Sequence, residues 1–404
     1  MTTITFQGAH TFLPSGIVET SVTIENGIVT AIGGPAVGKV IDARGLILAP
    51  ALIDVHGDAF ERQLMPRPGV FFPIDTAVLE TDRQLAANGI ATTYHSITLG
   101  FEPGLRSVAR GREMMEAIRR LAPRLTVENR VQLRWETFAD EALETLDWAM
   151  DGPLAPSLAF NDHMSMSMRS GDTPIQDRLF EYNPNFTLMD LNDAALFEKR
   201  HKKHAERAGM DLADYKSLHR NVWERRAEVP DKIKEVARRA KARGIPMLSH
   251  DDTQSETRAF YRDLGANVAE FPMTIAPTRS ARENGDFIIF GSPNAVRGGS
   301  HIGSLSAADM IEDGLCDALA SDYYYPAMLA AIDRLDRDRR ADRLALWALV
   351  SSGPARAMKL ADRGSIAVGK RADLVLVDWP TDGPPAIRET WVAGRPAYRA
   401  TPPP

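Results

Sequence analysis

An apolar run that ends in an imidazole and two carboxylates lies at residues 244–252, Gly244-Ile245-Pro246-Met247-Leu248-Ser249-His250-Asp251-Asp252. A second run, Leu46-Ile47-Leu48-Ala49-Pro50-Ala51-Leu52-Ile53-Asp54-Val55-His56-Gly57-Asp58, also ends in a histidine and an aspartate. Three further apolar runs end at Glu136, His163 and Asp322. Because the carboxyl ends of parallel strands meet at one mouth of a β/α barrel, these side chains predict a shared metal site. The pattern favours a metal-dependent hydrolase.

Strand-like runs alternate with helical segments through the middle of the chain. Helical patterns cover residues 81–88 and 110–121, and Pro230 opens a charged helix that ends near Gly244. Such alternation predicts a parallel sheet, and about eight strands of this kind close a TIM-like (β/α)8 barrel. We therefore predict an α/β fold with the barrel at residues 49–359.

Both ends of the chain are β-rich. Asn26-Gly27 separates two β-rich runs, which is a strong hairpin signal. After Gly364 the chain returns to β structure at residues 372–378 and 390–395. We predict that residues 1–48 and 360–404 pair into one small β-sandwich domain.

Composition excludes several classes of protein. The net charge of −6 over 404 residues gives no reason to expect nucleic acid or an anionic membrane as a partner. The single cysteine, Cys316, excludes an intrachain disulfide and a zinc site built mainly from thiolates. The first ten residues lack a signal-peptide pattern, and no apolar stretch is long enough to span a bilayer, so a cytoplasmic location is predicted.

Six strand-end residues form the predicted metal site: His56, Asp58, Glu136, His163, His250 and Asp322. Residues i and i+2 of a strand point to the same side, so His56 and Asp58 can reach one ion. No lysine ends a barrel strand, so Glu136 is the candidate for a bridge between two ions, with a salt bridge to Arg134 as its alternative.

Asp322 is the predicted catalytic residue. A carboxylate at the last strand end can take the proton of a metal-activated water, and capping the next helix is its structural alternative. Asp251 or Asp252 is predicted to orient His250 from behind. Nitrogen and oxygen donors of this kind hold one or two divalent ions, with zinc expected and manganese or iron as alternatives.

A glycine-rich loop follows a later strand and is the predicted substrate grip. Its members are Arg297, Gly298, Gly299, Ser300 and His301. Adjacent glycines let backbone amides turn toward an anion, and an arginine adds two parallel donors, so a phosphate or carboxylate is the expected ligand. Arg67, just after the first metal motif, is a further candidate, with a surface turn as the alternative.

The segment at residues 192–228 is long, charged and helical, and departs from the barrel rhythm. A solvated helical excursion is the first interpretation, and a lid or dimer arm over the active site is the second. His201 and His204 are expected to be solvated on it, whereas His95 is expected to pack inside a barrel strand.

Taken together, these residues resemble the amidohydrolase superfamily. The stretch Gly364-Ser365-Ile366-Ala367-Val368-Gly369-Lys370-Arg371-Ala372-Asp373-Leu374-Val375-Leu376-Val377-Asp378 is similar to a signature of its small β domain. Residues 249–252, 269–272 and 296–301 resemble the α-D-ribose 1-methylphosphonate 5-triphosphate diphosphatases of phosphonate metabolism. That resemblance implies hydrolysis between the α and β phosphates with release of pyrophosphate, a phosphorylated small-molecule substrate, and homo-oligomers. It also implies a substrate contact at Arg169.

Two other functions stay open at this point. The run Met164-Ser165-Met166-Ser167-Met168 replaces a polar loop of that family, and thioethers line apolar pockets adaptably. This run motivates a hydrolase of amides, cyclic amides or esters with the same metal site. A non-catalytic barrel scaffold is the third hypothesis, and the complete set of six candidate ligands argues against it.

Overall fold

The computed structural model describes residues 3–171, 173–299 and 303–401. The strands are β1 (Thr3–Leu13), β2 (Gly16–Glu25), β3 (Ile28–Ile32), β4 (Lys39–Asp42), β5 (Ile47–Pro50), β6 (Leu52–Gly57), β7 (Ile90–Leu99), β8 (Glu128–Glu136), β9 (Ser157–Asn161), β10 (Met247–His250), β11 (Val268–Glu270), β12 (Phe287–Gly291), β13 (Ala318–Ala320), β14 (Leu374–Asp378), β15 (Ala386–Val392) and β16 (Arg395–Arg399).

The α-helices are α1 (Glu61–Leu64), α2 (Ile74–Ala87), α3 (Val108–Leu121), α4 (Leu143–Met150), α5 (His163–Met168), α6 (Ala194–Ala208), α7 (Leu212–Trp223), α8 (Val229–Ala242), α9 (Ser255–Asp263), α10 (Ile275–Glu283), α11 (Ser292–Arg297), α12 (Ala307–Glu312), α13 (Ala327–Arg337), α14 (Arg343–Ala348) and α15 (Ser352–Ala357). The helix predicted at residues 81–88 is the second half of α2, and Gly89 with φ 79° follows it.

Strands β6 to β13 form a parallel sheet in which neighbours follow one another in chain order. The last strand returns to the first, because the Asp322 amide donates to the His56 carbonyl at 2.9 Å and the Asp58 amide to the Asp322 carbonyl at 3.0 Å. The sheet is therefore a TIM-like barrel, and the predicted fold class is confirmed.

Inward-facing side chains of the barrel change from apolar to ionisable along each strand. On β10 Leu248 is followed two residues later by His250, and on β11 Val268 is followed by Glu270. Side chains two residues apart share a face of a strand, so the apolar layer and the ionisable layer are stacked. The apolar layer is a buried cluster that includes Ile53, Leu248, Val268 and Ile289. The ionisable layer consequently lies at the carboxyl-end mouth.

The two ends of the chain form a second sheet in the order β16-β15-β14-β5-β1-β2-β3, with β4 beside β1. Phe6 of β1 and Trp391 of β15 contact each other with ring centroids 5.2 Å apart. Three strand spacings of about 4.8 Å separate these strands in a flat sheet, so the sheet must curl over its own core. Both termini thus build the small β domain, while its limits at residues 48 and 360 stay a prediction.

The charged segment at residues 192–228 is a helical hairpin of α6 and α7. Phe197, Ala205 and Tyr215 pack between the helices with Met189 in a small core of their own. The helices also bury two imidazoles, because His201 is 3% exposed and His219 is 2% exposed. The prediction that His201 is solvated is therefore wrong, whereas His204 is exposed as expected.

Candidate metal centre and substrate cavities

The barrel mouth gathers the predicted ligands into groups whose donor atoms lie within 4.8 Å of one another. One group contains His56, Asp58 and Asp322, and a second contains His163, His250 and Asp251. The second group includes Asp251, which the sequence analysis assigned to a supporting role. Strand ends separated by up to 266 residues thus converge at one place, as the barrel prediction requires.

The carboxylate of Glu270 lies between two of these histidines. Its carboxylate oxygens lie 3.0 Å from Nδ1 of His56 and 2.8 Å from Nδ1 of His250. A carboxylate that accepts from Nδ1–H directs the Nε2 lone pair away from itself, which is the usual way a metal-binding imidazole is oriented. Nε2 of His250 lies 2.9 Å from Nη2 of Arg134, so His250 can bind an ion only when this arginine moves aside. Burial opposes ionisation of Glu270, but the two histidines outweigh it and hold the pKa of its carboxyl well below the ordinary range.

Glu270 was missed as a site residue in the sequence, although the signal was present. It ends β11 in the same way that His250 ends β10, and the two residues are paired across the strands. Asp252 was predicted for the supporting role, but it accepts from the Ser249 hydroxyl at 2.5 Å and pairs with Arg258 at 3.6 Å. The carboxylate that orients His250 is therefore Glu270.

Glu136 and His163 form a close pair at the mouth. His163 Nδ1 lies 2.5 Å from Glu136 Oε1, and the His163 amide donates to Oε2 at 3.2 Å. His163 begins α5 rather than ending β9, and Asp162 caps that helix by accepting from the Ser165 amide. Burial opposes ionisation of Glu136, yet His163 and Arg134 lower the pKa of its carboxyl. Its role as a bridge between two ions stays a prediction.

Asp322 follows β13 in the left-handed region, with φ 56°. The preceding residue is fixed by buried Asp54, which accepts from the Ser321 amide at 3.0 Å and from its hydroxyl at 2.6 Å. Burial, together with the neighbouring Asp58 carboxylate, raises the pKa of Asp322 from 3.8 to about 7. A residue held in strained backbone by a buried hydrogen-bond network is typical of a functional site.

This shift predicts how stability varies with pH in protein treated with chelator. The folded state holds the Asp322 proton up to about pH 7, whereas the unfolded state loses it near 3.8. The contribution of Asp322 to the free energy of unfolding is therefore complete below pH 3.8 and falls as the pH rises to about 7. Across that range the free energy of unfolding should decrease by on the order of 2–4 kcal/mol. Urea unfolding at pH 5 and pH 8 measures it, and Asp322→Asn should flatten the profile. An unchanged slope in Asp322→Asn would contradict the assignment.

Gly57 separates His56 from Asp58 where β6 meets β13. A Cβ at this position would lie 2.5 Å from Oδ2 of Asp54 and 3.1 Å from the Ser321 hydroxyl oxygen. We expect Gly57→Ala to lower the free energy of unfolding by roughly 2–4 kcal/mol, because a rigid, buried hydrogen-bonded group must shift. Gly291→Ala is the matched control, since its Cβ meets Asp322 Oδ2 at an ordinary 3.5 Å. Equal thermal unfolding midpoints for the two variants would contradict the prediction.

Two arginines lie among the candidate ligands. Arg134 places Nη2 2.9 Å from His250 Nε2 and Nη1 3.7 Å from Asp58 Oδ2. Arg106 lies 3.6 Å from Asp58 and binds Glu61 through two hydrogen bonds of 2.8 and 2.9 Å. Their positive charges sit beside the carboxylates, so the mouth can accept an anion as well as a cation.

A cavity of about 390 Å³ opens above the first ligand group. Arg297 and Gly299 line it, and Gly298 ends α11 in the left-handed conformation with φ 75°. Ser300 and His301, the other members of the predicted grip, lie outside the described residues. Arg67 is exposed in a turn with Val70 and is not among the residues that line this cavity.

The methionine run contributes little to any pocket. Met164 and Met168 are buried in the helix-facing core at 1% and 0% exposure, and Met166 lines a second cavity together with Arg169. The apolar mouth that this run suggested is therefore mostly core packing. Arg169 lines the second cavity, and its contact with substrate stays a prediction.

The donor set fits a divalent ion. Imidazole nitrogens and carboxylate oxygens are the ligands that zinc, manganese and iron accept, and the Glu270 carboxylate is placed to fix the tautomers of two imidazoles. Cys316 lies apart, with its thiol against the Ala318 carbonyl. Among the described residues, no helix is both long and apolar enough to cross a membrane.

Comparison with known proteins agrees with this architecture. A model described as the Amidohydrolase family matches residues 190–398, slightly more than half of the chain. The alpha-D-ribose 1-methylphosphonate 5-triphosphate diphosphatase of Escherichia coli (strain K12) is 29% identical over 372 residues, covering 90% of this chain and 92% of that protein.

Solved structures share the fold at lower identity. An adenosine deaminase from Xanthomonas campestris with bound zinc has a TM-score of 0.59 at 13% identity, over 97% of this chain and 92% of that one. A prolidase complexed with N-methylphosphonate-L-proline has a TM-score of 0.60 at 13% identity, over 99% of this chain and all of the other. The fold, the ligand groups and the family match together lead to one conclusion: this chain belongs to the amidohydrolase family and is a metal-dependent hydrolase that acts on a small molecule.

Proposed function

We propose that this hydrolase cleaves the anhydride between the α and β phosphates of a ribosyl phosphonate 5-triphosphate and releases pyrophosphate. The observation that carries the proposal is the mixture of charges at the mouth. The candidate metal ligands lie beside the guanidinium groups of Arg106 and Arg134, and Arg297 lines the same cavity. An uncharged amide has little use for several cations, whereas a triphosphate requires them. The relative from Escherichia coli carries this activity in its name.

His56, Asp58 and Asp322 would hold one ion, and His163, His250 and Asp251 would hold a second, with Glu136 placed against His163. We propose zinc as the metal and two ions per chain. A divalent ion in such a site supplies Lewis acidity and lowers the pKa of a bound water toward ~7. Glu270 would keep the two imidazoles in the binding tautomer throughout.

Asp322 would act as the general base in this reaction. It takes one proton from the attacking water while the water oxygen forms a bond to the α phosphorus. The bond from that phosphorus to the bridging oxygen breaks, and pyrophosphate leaves with the bridging oxygen. Arg134, whose guanidinium lies beside Asp58 and His250, is placed to stabilise the added negative charge on the phosphoryl oxygens.

The structure gives less support to the amide or ester hydrolase and to the non-catalytic scaffold than to the phosphoanhydride hydrolase. In the methionine run that motivated an amide or ester substrate, Met164, Ser165 and Met168 are buried, and Met166 and Ser167 line the second cavity. A non-catalytic scaffold has no need for two complete ligand groups. A panel of hydantoins and dihydropyrimidines separates the amide hypothesis from the phosphoanhydride one.

The test combines metal analysis with product identification. Protein purified without chelator is analysed for bound metal and then incubated with ribosyl 1-methylphosphonate 5-triphosphate, and pyrophosphate and orthophosphate are quantified separately. Pyrophosphate release with bound metal supports the proposal. Arg297→Gln should raise KM roughly 10-fold or more, because a charge-assisted contact is lost, whereas exposed Arg67→Gln should not. Orthophosphate as the first product, or turnover of cyclic amides alone, would overturn it.

A further inference from the structure

A second cavity, of about 410 Å³, adjoins the metal centre on the side away from Arg297. Arg106 lines both cavities, and Glu136 with His163 forms the wall that the second one shares with the ligand groups. Its far wall comes from the helical hairpin of α6 and α7. The helical segment at residues 192–228 is therefore neither a purely solvated excursion nor remote from the site.

Positive charge dominates this second cavity. Its lining includes Arg106, Arg169, Arg200 and Arg207, against the carboxylates of Glu102 and Glu136. Within the part of the chain that the structure describes, neither Arg169 nor Arg207 forms an ion pair within 4.0 Å, and Glu61 and Glu102 attract Arg207 only at longer range. Arg169 is instead positioned by the backbone carbonyls of Met166 and Thr173, at 2.5 and 3.0 Å.

Unpaired guanidinium groups in a partly enclosed space are costly, and the titration behaviour agrees. Burial, with repulsion from Arg200, lowers the pKa of Arg169 to about 10. Desolvation of the guanidinium group and repulsion from Arg106 also lower the pKa of Arg207, against attraction by Glu61 and Glu102, although the residue reaches solvent at the cavity edge. An anion in the cavity would relieve both effects, because it replaces lost hydration with charge-assisted hydrogen bonds.

A buried imidazole lies in the wall of the second cavity. His201 is 3% exposed and lines the cavity, and its Nε2 atom has no hydrogen-bond partner among the described residues. Buried polar atoms without a partner are rare and each costs free energy. Because Nε2 itself is not accessible from the cavity, the guanidinium groups of the lining are the donors that an anion there would contact.

We propose that this second cavity binds the pyrophosphate portion of the substrate, so that the scissile anhydride lies at the boundary marked by Arg106. This assignment rests on the proposed function. The first cavity takes the other end, because Phe271, Pro272 and Leu305 offer apolar faces to a sugar and Arg297 offers a cation to the phosphonate. The α6–α7 hairpin is then the element that selects a polyphosphate leaving group.

Direct binding of inorganic pyrophosphate tests the inference without turnover. Calorimetry on metal-loaded protein compares wild type with Arg169→Gln/Arg207→Gln, for which we expect affinity to fall by roughly 10- to 100-fold. Lys203→Gln is the matched control, since it removes an exposed cation from the same helix outside the cavity. The single variant Arg207→Gln, at an exposed residue, keeps the test valid if the double variant unfolds.

The outcomes separate the two proposals. Weaker pyrophosphate binding in the double variant, with ribose 5-phosphate binding unchanged, supports the assignment. Unchanged pyrophosphate binding there, with loss in Arg297→Gln, overturns it and leaves the proposed reaction intact. If wild type binds pyrophosphate through Arg169 and Arg207 but releases none from the ribosyl triphosphate, the cavity assignment stands and the proposed substrate falls.

Discussion

Asp322→Asn is expected to lower kcat by roughly 10²- to 10⁴-fold, which is the usual contribution of a general base. The substitution keeps the shape of the side chain and an oxygen donor, but it removes the group that accepts the proton from water. Asp322 lies in one group with His56 and Asp58 and carries a pKa raised to about 7. That pKa belongs to the metal-free site, and the expected role as a base rests on the place of the carboxylate beside the other ligands, where it can reach a metal-bound water.

The measurement is single-turnover pyrophosphate release, with metal content determined on the same samples. Asp313→Asn removes the same charge from an exposed position after α12 and should behave like wild type. If Asp322→Asn retains its metal and more than a tenth of the wild-type rate, another group must be the base. Loss of metal together with activity would assign Asp322 a ligand role only.

Glu270→Gln is expected to weaken metal binding by roughly 10- to 100-fold, the usual effect of losing the partner that orients a ligating histidine. The expected effect is large because this carboxylate is hydrogen-bonded to His250 and also lies 3.0 Å from Nδ1 of His56. An amide presents one acceptor and one donor, so at most one of the two imidazoles can keep its Nδ1 proton directed at residue 270. The other must turn or change tautomer.

A competition titration with a fluorescent zinc chelator measures this affinity. Asp286→Asn is the matched control, because Asp286 is a buried carboxylate that pairs with Arg262 at 2.7 Å, away from the ligand groups. Both variants should lose stability, by up to about 3–5 kcal/mol, since each breaks a buried ion pair. Only Glu270→Gln should lose metal affinity, and a similar loss in Asp286→Asn would contradict the orienting role.

The positions of the candidate ligands were predictable because strand ends are readable in a sequence. An apolar run that ends in a histidine or a carboxylate predicts both a strand and the side chain that this strand places at the barrel mouth. His95 lies inside β7 rather than at its end, and the sequence therefore predicted a packed residue instead of a ligand. In the structure His95 is 1% exposed and is hydrogen-bonded to Asn129. Glu270 lies in a segment, residues 267–271, that reads as a strand, but its carboxylate was not recognised as a partner of the histidines, because that pairing depends on the neighbouring strand β10.

Positions that depend on how separate elements meet were not predictable. The charged pattern of α6 looks the same whether His201 faces water or a neighbouring helix, and only packing against α7 buries it. The methionine run fits a pocket lining or a core equally well by composition. Arg67 and Arg297 both follow strand ends in the sequence, yet the path of each loop brings only Arg297 to the cavity.

The sequence by itself therefore determined the β/α alternation, the β-rich ends and the acids and imidazoles at the strand ends, because these depend on local periodicity. Only the tertiary structure decided which carboxylate supports which histidine and that two cavities meet at Arg106. It alone also brought the α6–α7 hairpin to the site. Those relations join residues far apart in the chain, and barrel closure and side-chain packing set their distances.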